Sequence, residues 1–213
     1  MNLRRSYLVA AALVALSALA SVLAFPEMPA RMATHWNAAG EVDDRMAKRF
    51  ALALLPALSA ALLGLFALLP RIDPLGENVA RFREQYDTFV VLLVAFLTYI
   101  HLVVIAANAG YEFEMIQAVS PAVGALLYYV GVLSEHAEPN WFVGIRTPWT
   151  LSDEEVWRRT HERAAPLFKL AGGVAALAAL VPAYAELLIV VPVAAVALYA
   201  TVFSYAEYRR SAV

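Results

Sequence analysis

Residues 88–107 read TFVVLLVAFLTYIHLVVIAA, and these twenty residues contain no lysine, arginine, aspartate or glutamate. A helix of about 20 apolar residues is long enough to cross the ~30 Å hydrocarbon core of a bilayer. Such a helix also satisfies every backbone N–H and C=O group internally, which lipid requires. The stretch therefore predicts a transmembrane helix.

The same pattern recurs along the chain, which predicts an all-α polytopic membrane protein with a bundle of about six transmembrane helices. The composition agrees, because 62% of the residues are hydrophobic and 16% are charged, against about a quarter charged in soluble domains. Prolines inside the spans are interpreted as kinks, the alternative being the broken helices of transporters. The predicted spans are 7–25, 50–70, 88–107, 115–134, 166–184 and 187–205, and the prolines are Pro56, Pro121, Pro182 and Pro192.

Several classes of function have no support in the sequence. The formal net charge is −2 and no long basic run occurs, so direct nucleic-acid binding is not expected. The absence of cysteine excludes disulfides, thiolate metal sites and cysteine nucleophiles. Because no HExxH or GxSxG motif and no Ser-His-Asp order is present, neither an enzyme nor a bound cofactor or metal is predicted.

The orientation is predicted from lysine and arginine, which concentrate in cytoplasmic segments. With the N-terminus inside, twelve of the 16 basic residues fall on the inner side and four on the outer side. The N-terminus and C-terminus are therefore expected in the cytoplasm of a multi-pass cell-membrane protein. The outer four are Arg31, Arg45, Lys48 and Arg49.

The loop 135–165 is unusually varied, with the run NWFVGIRTPWTLSDEEVWRRTHE at residues 140–162. Ser152 and Glu155 have the spacing of a capping box, which predicts a short helix over 153–165 that ends at Pro166. One face of this helix is half apolar, so it is expected to lie along the bilayer surface. That face consists of Val156, Trp157, Thr160, His161 and Ala164.

The run GIRTPWT at residues 144–150 is harder to explain as anchoring. Gly144 permits close backbone approach, and Pro148 pushes Thr147 into an extended conformation. Arg146 presents a rigid fork of donors. Two interpretations stay open: a clamp that holds a buried guanidinium against the bundle, and a binding surface.

The outer segment FPEMPARMATHWNAAGEVD, residues 25–43, is predicted to be a loop with a turn at NAAGEVDD. One histidine with two distant carboxylates is a weak metal signal. His35, Trp36 and Asn37 are therefore expected to make hydrogen bonds that fold the loop onto the bundle. Within the third span, His101 is expected to be neutral and hydrogen-bonded across helices to Tyr99 or Tyr128.

Both unusual segments resemble one family. The order N-x-x-x-G-I-R-T-P-W-T-L-S-x-E-x-x-W-x-x-T-H resembles the signature of the SdpI family, the immunity proteins of the sporulation-delaying toxin system. The outer segment resembles the small domain of unknown function that precedes the SdpI region. The matching positions are Asn140, Gly144, Arg146, Thr147, Pro148, Trp149, Thr150, Trp157, Thr160 and His161, with His35, Asn37, Gly40 and Asp43 in the outer loop. Trp36, between His35 and Asn37, is a further candidate site residue of that loop.

The resemblance implies a two-helix membrane region over residues 1–87 with an extracellular His-Trp-Asn loop. An SdpI-like four-helix region would follow over residues 88–213. It further implies immunity to a secreted peptide toxin at the outer face, signal transduction by capture of a transcriptional repressor at the cytoplasmic face, or both. A small transporter or channel, and a membrane enzyme acting on a lipid-linked substrate, remain alternatives.

Overall fold

The computed structural model describes residues 3–37 and 40–211. Among these residues, six helices are long and apolar enough to cross a membrane, which confirms the polytopic all-α fold. The two chain ends, Met1 and Val213, lie outside the described residues, and so does part of the predicted turn. The elements are α1 (Leu3–Ala24), β1 (Arg31–Trp36), β2 (Val42–Ala47), α2 (Lys48–Ile72), α3 (Gly76–Arg81), α4 (Arg83–Asn108), α5 (Met115–His136), α6 (Pro148–Ser152), α7 (Glu154–Leu177) and α8 (Ala185–Ser211).

The long helices form two packed groups. Helices α1, α2 and α4 contact one another, helix α7 packs against α5 and α8, and α4 meets α5 between the groups. Helix α4 has 26 residues, or about 39 Å at 1.5 Å per residue, and thus runs the depth of the bundle. The division at residues 87 and 88 falls inside α4 and stays a prediction.

The outer segment contains a β-hairpin where the sequence predicted only a loop. Strands β1 and β2 pair antiparallel from Arg31 with Ala47 to Trp36 with Val42, and the register is irregular around His35. The side chain of Asn108, at the end of α4, extends the pairing. Its Oδ1 accepts from the backbone N–H of Ala33 at 2.7 Å, and its Nδ2 donates to the Ala33 carbonyl oxygen at 2.9 Å.

The hairpin also rests on an apolar cluster. Met28 and Met32 are buried against Ala51 and Leu52 of α2. The docking therefore comes from methionines and from Asn108, and not from His35, Trp36 and Asn37 as the sequence suggested. His35 bonds Asp43 and Asn37 bonds Glu41, and both of these partners belong to the hairpin.

Helices α5 and α7 approach closely because glycines line their contact. A Cβ added to Gly172 would lie 2.5 Å from the backbone nitrogen of Tyr128 and 2.6 Å from the carbonyl oxygen of Gly124. One added to Gly131 would lie 2.6 Å from the carbonyl oxygen of Ala165. Small residues at such positions let two backbones approach, which drives helix association in lipid.

His101 is buried and hydrogen-bonded across helices, but its partner differs from the one expected. Its Nε2 lies 2.7 Å from the hydroxyl of Ser21 on α1, and Ser21 also donates to the carbonyl oxygen of Leu52 at 2.7 Å. Tyr99 donates instead to the carbonyl oxygen of Ala118 at 2.8 Å. The sequence does not point to Ser21, because serine is a weak signal within an apolar span.

The prediction of a separate short surface helix over residues 153–165 was wrong. Helix α7 continues through Pro166 to Leu177. Proline removes one helical donor, that for the carbonyl of Glu162, and its exposed position explains why the helix tolerates this loss. Helix α7 ends at Leu177, before residue 184, where the fifth span was predicted to end. Pro182 is not inside a transmembrane helix, because it lies in the 3-10 turn Pro182–Tyr184 that precedes α8.

The helix contact between α5 and α7 generates a matched test. Gly172→Ala is expected to lower the thermal midpoint, because overpacking typically costs about 1–3 kcal/mol. Gly173→Ala is the control, since a Cβ there would meet nothing within 4 Å and alanine favours a helix. Circular dichroism melting of both variants in detergent checks the difference. Equal midpoints would contradict the close packing of these backbones.

Candidate functional site

The signature loop, defined as residues 137–147, is folded by the side chain of Asn140, which is 1% exposed. Its Oδ1 accepts from the backbone N–H groups of Phe142 (2.9 Å) and Val143 (2.6 Å). Its Nδ2 donates to the carbonyl oxygens of Glu138 (2.9 Å) and Val143 (2.8 Å). One buried amide thus makes four hydrogen bonds to a loop without regular structure.

Two side chains between α2 and α4 hold this loop against the bundle. Asp73 Oδ2 accepts from the backbone N–H of Trp141 at 3.0 Å, and Asn78 Nδ2 donates to the carbonyl oxygen of Pro139 at 2.8 Å. Sequence reasoning missed both residues. The available signal for Asp73 was a polar residue that directly follows an apolar span and precedes a proline.

Gly144, Trp157 and His161 meet in close contact. Gly144 has φ +116°, and a Cβ there would lie 2.6 Å from His161 Nε2. The backbone N–H of Ile145 donates to this nitrogen at 2.9 Å, so Nδ1 carries the proton and donates to the Trp157 carbonyl oxygen at 2.9 Å. Both nitrogens of a neutral His161 are therefore used to join the loop to α7.

Trp157 is buried by the bundle and not by the bilayer surface. Its indole N–H donates to the carbonyl oxygen of Ala137 at 2.7 Å, and its ring stacks on His161 at 4.2 Å. The face of α7 chosen from the sequence is confirmed as buried, but it packs against protein. Its members Val156, Trp157, Thr160, His161 and Ala164 are all buried.

Thr147 and Thr150 form the capping box of α6, which begins at Pro148. Thr150 Oγ1 accepts from the backbone N–H of Thr147 at 2.9 Å, and Thr147 Oγ1 accepts from that of Thr150 at 3.2 Å. Thr147 also donates to the hydroxyl of Ser204 on α8 at 3.1 Å. These threonines therefore fix both the turn and its contact with the last helix.

The expected cap at Ser152 and Glu155 was wrong. Asp153 caps α7, with Oδ1 accepting from the Val156 N–H at 2.9 Å. The Ser152 hydroxyl donates backwards to the Trp149 carbonyl oxygen at 3.1 Å, because Ser152 is the last residue of α6. Glu155 is engaged by arginines of the next helical turn.

Further contacts join α6 and the beginning of α7 to the end of α8. Arg159 forms an ion pair with Glu207, which is 4% exposed. The ring of Trp149 lies 5.0 Å from that of Tyr205. Thr160 is fully buried, and its hydroxyl has no hydrogen-bond partner within residues 3–37 and 40–211. Glu207 escaped sequence reasoning because it stands alone near a helix end.

Arg146 differs from the residues around it. It is exposed and makes no hydrogen bond or ion pair with any residue that the structure describes. The interpretation of a clamped, buried guanidinium is therefore wrong. Arg146 instead borders a cleft of about 510 Å³ that also contains Trp141, Leu151, Asp153 and Glu154.

The outer-loop residues lie in and around the hairpin turn. His35 Nδ1 is 2.6 Å from Asp43 Oδ1, and both side chains are largely exposed. Asn37 Oδ1 accepts from the backbone N–H of Glu41 at 3.0 Å, and Gly40 adopts φ +78° where the chain turns. Across the described ranges, no group of three His, Asp or Glu side chains is arranged to hold a metal ion.

Trp36 lines two cavities at the hairpin end. The first, of about 740 Å³, is bordered by Arg45, Glu112 and Glu114. The second, of about 580 Å³, is a largely apolar groove below the hairpin. Sequence reasoning missed the three acidic residues at these cavities, Glu112, Glu114 and Glu186, because each stands just before an apolar span and belongs to no motif.

The hairpin and the signature loop lie at opposite ends of the bundle. The hairpin binds Asn108 at the end of α4, whereas Trp157 packs with Val79 and Phe82 just before α4 begins. The structure thus brings the ten signature positions into one region and the five hairpin positions into another. Together they define a polytopic helical membrane protein with a β-hairpin at one end and a hydrogen-bonded polar loop at the other.

Comparison with known sequences finds two family models that match parts of the chain. The model of the SdpI/YfhL protein family matches residues 136–205. A second model, the domain of unknown function DUF1648, matches residues 12–60. The immunity protein SdpI of Bacillus subtilis (strain 168) is 25% identical over 199 residues, which cover 93% of each chain. No solved structure matches the chain.

The geometry of the signature loop predicts a separation between its members. His161→Ala should lower the thermal midpoint, because an unpaired buried N–H at Ile145 costs about 1–3 kcal/mol. Gly144→Ala should do so as well, since positive φ disfavours residues with a Cβ. Arg146→Ala should stay within about 0.5 kcal/mol of the parent. Melting of the purified variants tests this; an Arg146→Ala midpoint as low as that of His161→Ala would contradict the structure.

Proposed function

We propose that the protein protects the membrane of the cell that makes it against a secreted peptide toxin. The observation that carries the proposal is the match to a protein named as an immunity protein over 93% of both chains. A match of this length includes both ends of the bundle. Both the hairpin region and the signature region therefore belong to the part of the chain that resembles the immunity protein.

The hairpin end is the proposed site at which the toxin binds. The uneven distribution of lysine and arginine supports placing it outside. Contacts within the other end support the assignment of its loops to one side, because Asp73 bonds Trp141 and Asn78 bonds Pro139. A secreted peptide would then meet the hairpin first.

Recognition is assigned to the hairpin because its polar side chains are accessible. His35 and Asp43 are exposed, and Trp36 borders both cavities. By contrast, Asn140, Thr150, Trp157 and His161 are buried and occupied by contacts within the protein. Their side chains stabilise the opposite end and are not free to bind a partner.

Signal transduction at the signature end is a second candidate. The exposed, unpaired Arg146 beside Trp141 and a cleft of about 510 Å³ favours it, since arginine and tryptophan are enriched at interface hot spots. A repressor protein in the cytoplasm would be the partner. A catalytic role receives less support, because both ring nitrogens of His161 are hydrogen-bonded to backbone groups and neither makes a hydrogen bond to Arg146.

Survival of cells tests the immunity proposal. A strain that lacks the gene is challenged with peptide fractions of culture supernatants from strains that share its habitat, and the parent gene is restored on a plasmid. We expect at least one fraction to kill the deletion strain and spare the complemented strain. His35→Ala should lower the lethal dose by about tenfold, equal to about 1.4 kcal/mol of binding, because it removes an exposed recognition group.

The control is His136→Ala, which removes an exposed histidine at the opposite end and should protect as well as the parent. Membrane abundance of each variant is measured alongside. Identical survival of deletion and parent strains against every fraction would contradict immunity. Protection by His35→Ala equal to that by the parent would remove His35 from the recognition surface.

A further inference from the structure

The groove below the hairpin exists because two helices flank a third. Helices α4 and α8 both pack against α5, and β1 covers the upper end of the space between them. The groove has a volume of about 580 Å³ and is lined by Ile100 from α4, Val119 from α5 and Val190 from α8. Cavities of this size and character accept small ligands or short peptide segments.

A second cavity is also lined by Trp36. Its volume is about 740 Å³, and Tyr111, Phe113, Glu112 and Glu114 of the segment between α4 and α5 border it. Because Trp36 lines both spaces, one ligand lying across the indole would contact an apolar groove and a polar cavity. Tryptophan suits such a boundary, since its ring is apolar and its N–H is polar.

The charges around the two cavities are unbalanced. Glu112, Glu114 and Glu186 are exposed, and none forms an ion pair with another described residue. Arg45 is the one arginine or lysine among the residues that line them, and His35 also borders the groove below the hairpin. Three carboxylates against one guanidinium favour a cationic ligand and disfavour the phosphate of a lipid headgroup.

We propose that these joined cavities bind a cationic amphipathic peptide segment. This inference rests on the proposed immunity function and specifies the chemistry of its partner. Apolar side chains of the segment fill the groove below the hairpin. Its lysine or arginine side chains lie against Glu112 and Glu114, with the peptide backbone crossing Trp36.

The proposal is tested by energy transfer from a labelled peptide to a single label on the full chain in phosphatidylcholine nanodiscs. The probe is a synthetic peptide with two lysines before a leucine-rich apolar segment, and the matched probe has two glutamates instead. The chain has no native cysteine, so Glu27→Cys labels the hairpin end and Glu77→Cys the opposite end. We expect transfer from the lysine peptide to position 27 above position 77 and above empty nanodiscs.

Affinity measurements then separate the two halves of the site. Glu112→Gln with Glu114→Gln, and separately Val190→Trp, should each weaken binding of the lysine peptide by about tenfold. Val190 is an exposed position of the groove, so a larger side chain there fills space without disturbing the core. Glu77→Gln with Glu154→Gln is the control that removes two exposed carboxylates at the other end. Melting within the parent's error confirms that each variant is folded.

Each outcome decides the proposal. Equal binding of the lysine and glutamate peptides, or no effect of the groove and carboxylate variants, overturns it. Energy transfer no higher than that of empty nanodiscs also overturns it. If the number of copurified lipids changes in Val190→Trp as well, the groove is a lipid site. Binding as expected without protection of cells would refute immunity alone, whereas protection that depends on His35 without this binding would refute the peptide site alone.

Discussion

Backbone groups that helices and strand pairing leave unbonded must be satisfied by the protein wherever the chain borders the hydrocarbon core, and this constraint governs both ends of the molecule. At one end, Asn140 makes four hydrogen bonds to the signature loop, and His161 accepts the N–H of Ile145. At the other, Asn108 completes the pairing of Ala33. Removing any of these side chains would leave a polar backbone group without a partner.

The same constraint explains why the varied signature sequence is mostly structural. A loop that folds by side-chain hydrogen bonds needs specific residues at fixed positions, whereas the apolar spans accept many alternatives. Arg146 is the exception, because it is exposed and has no partner among the described residues. The signature residues therefore fall into two groups: those that fold the loop, and Arg146, which is available to bind a partner.

Sequence reasoning succeeded where a single physical property decides the structure. Length and apolarity located the six spans, and three- and four-residue spacing identified the buried face of α7, including Trp157. It failed where partners are distant: the link from His101 to Ser21 and the hairpin held by Asn108 depend on helix packing that no local pattern encodes. It also ended a helix at Pro166, because the tolerance of that proline depends on its exposed position.

The central claim is that the hairpin faces outward and the signature loop faces the cytoplasm. Glu27 and Glu77 lie at the two ends, and both are exposed, so cysteine at each position is accessible from its own side. The decisive measurement is labelling of Glu27→Cys and Glu77→Cys in intact and permeabilised cells with a membrane-impermeant maleimide. The account predicts labelling of position 27 in intact cells and of position 77 only after permeabilisation; the reverse pattern would contradict it.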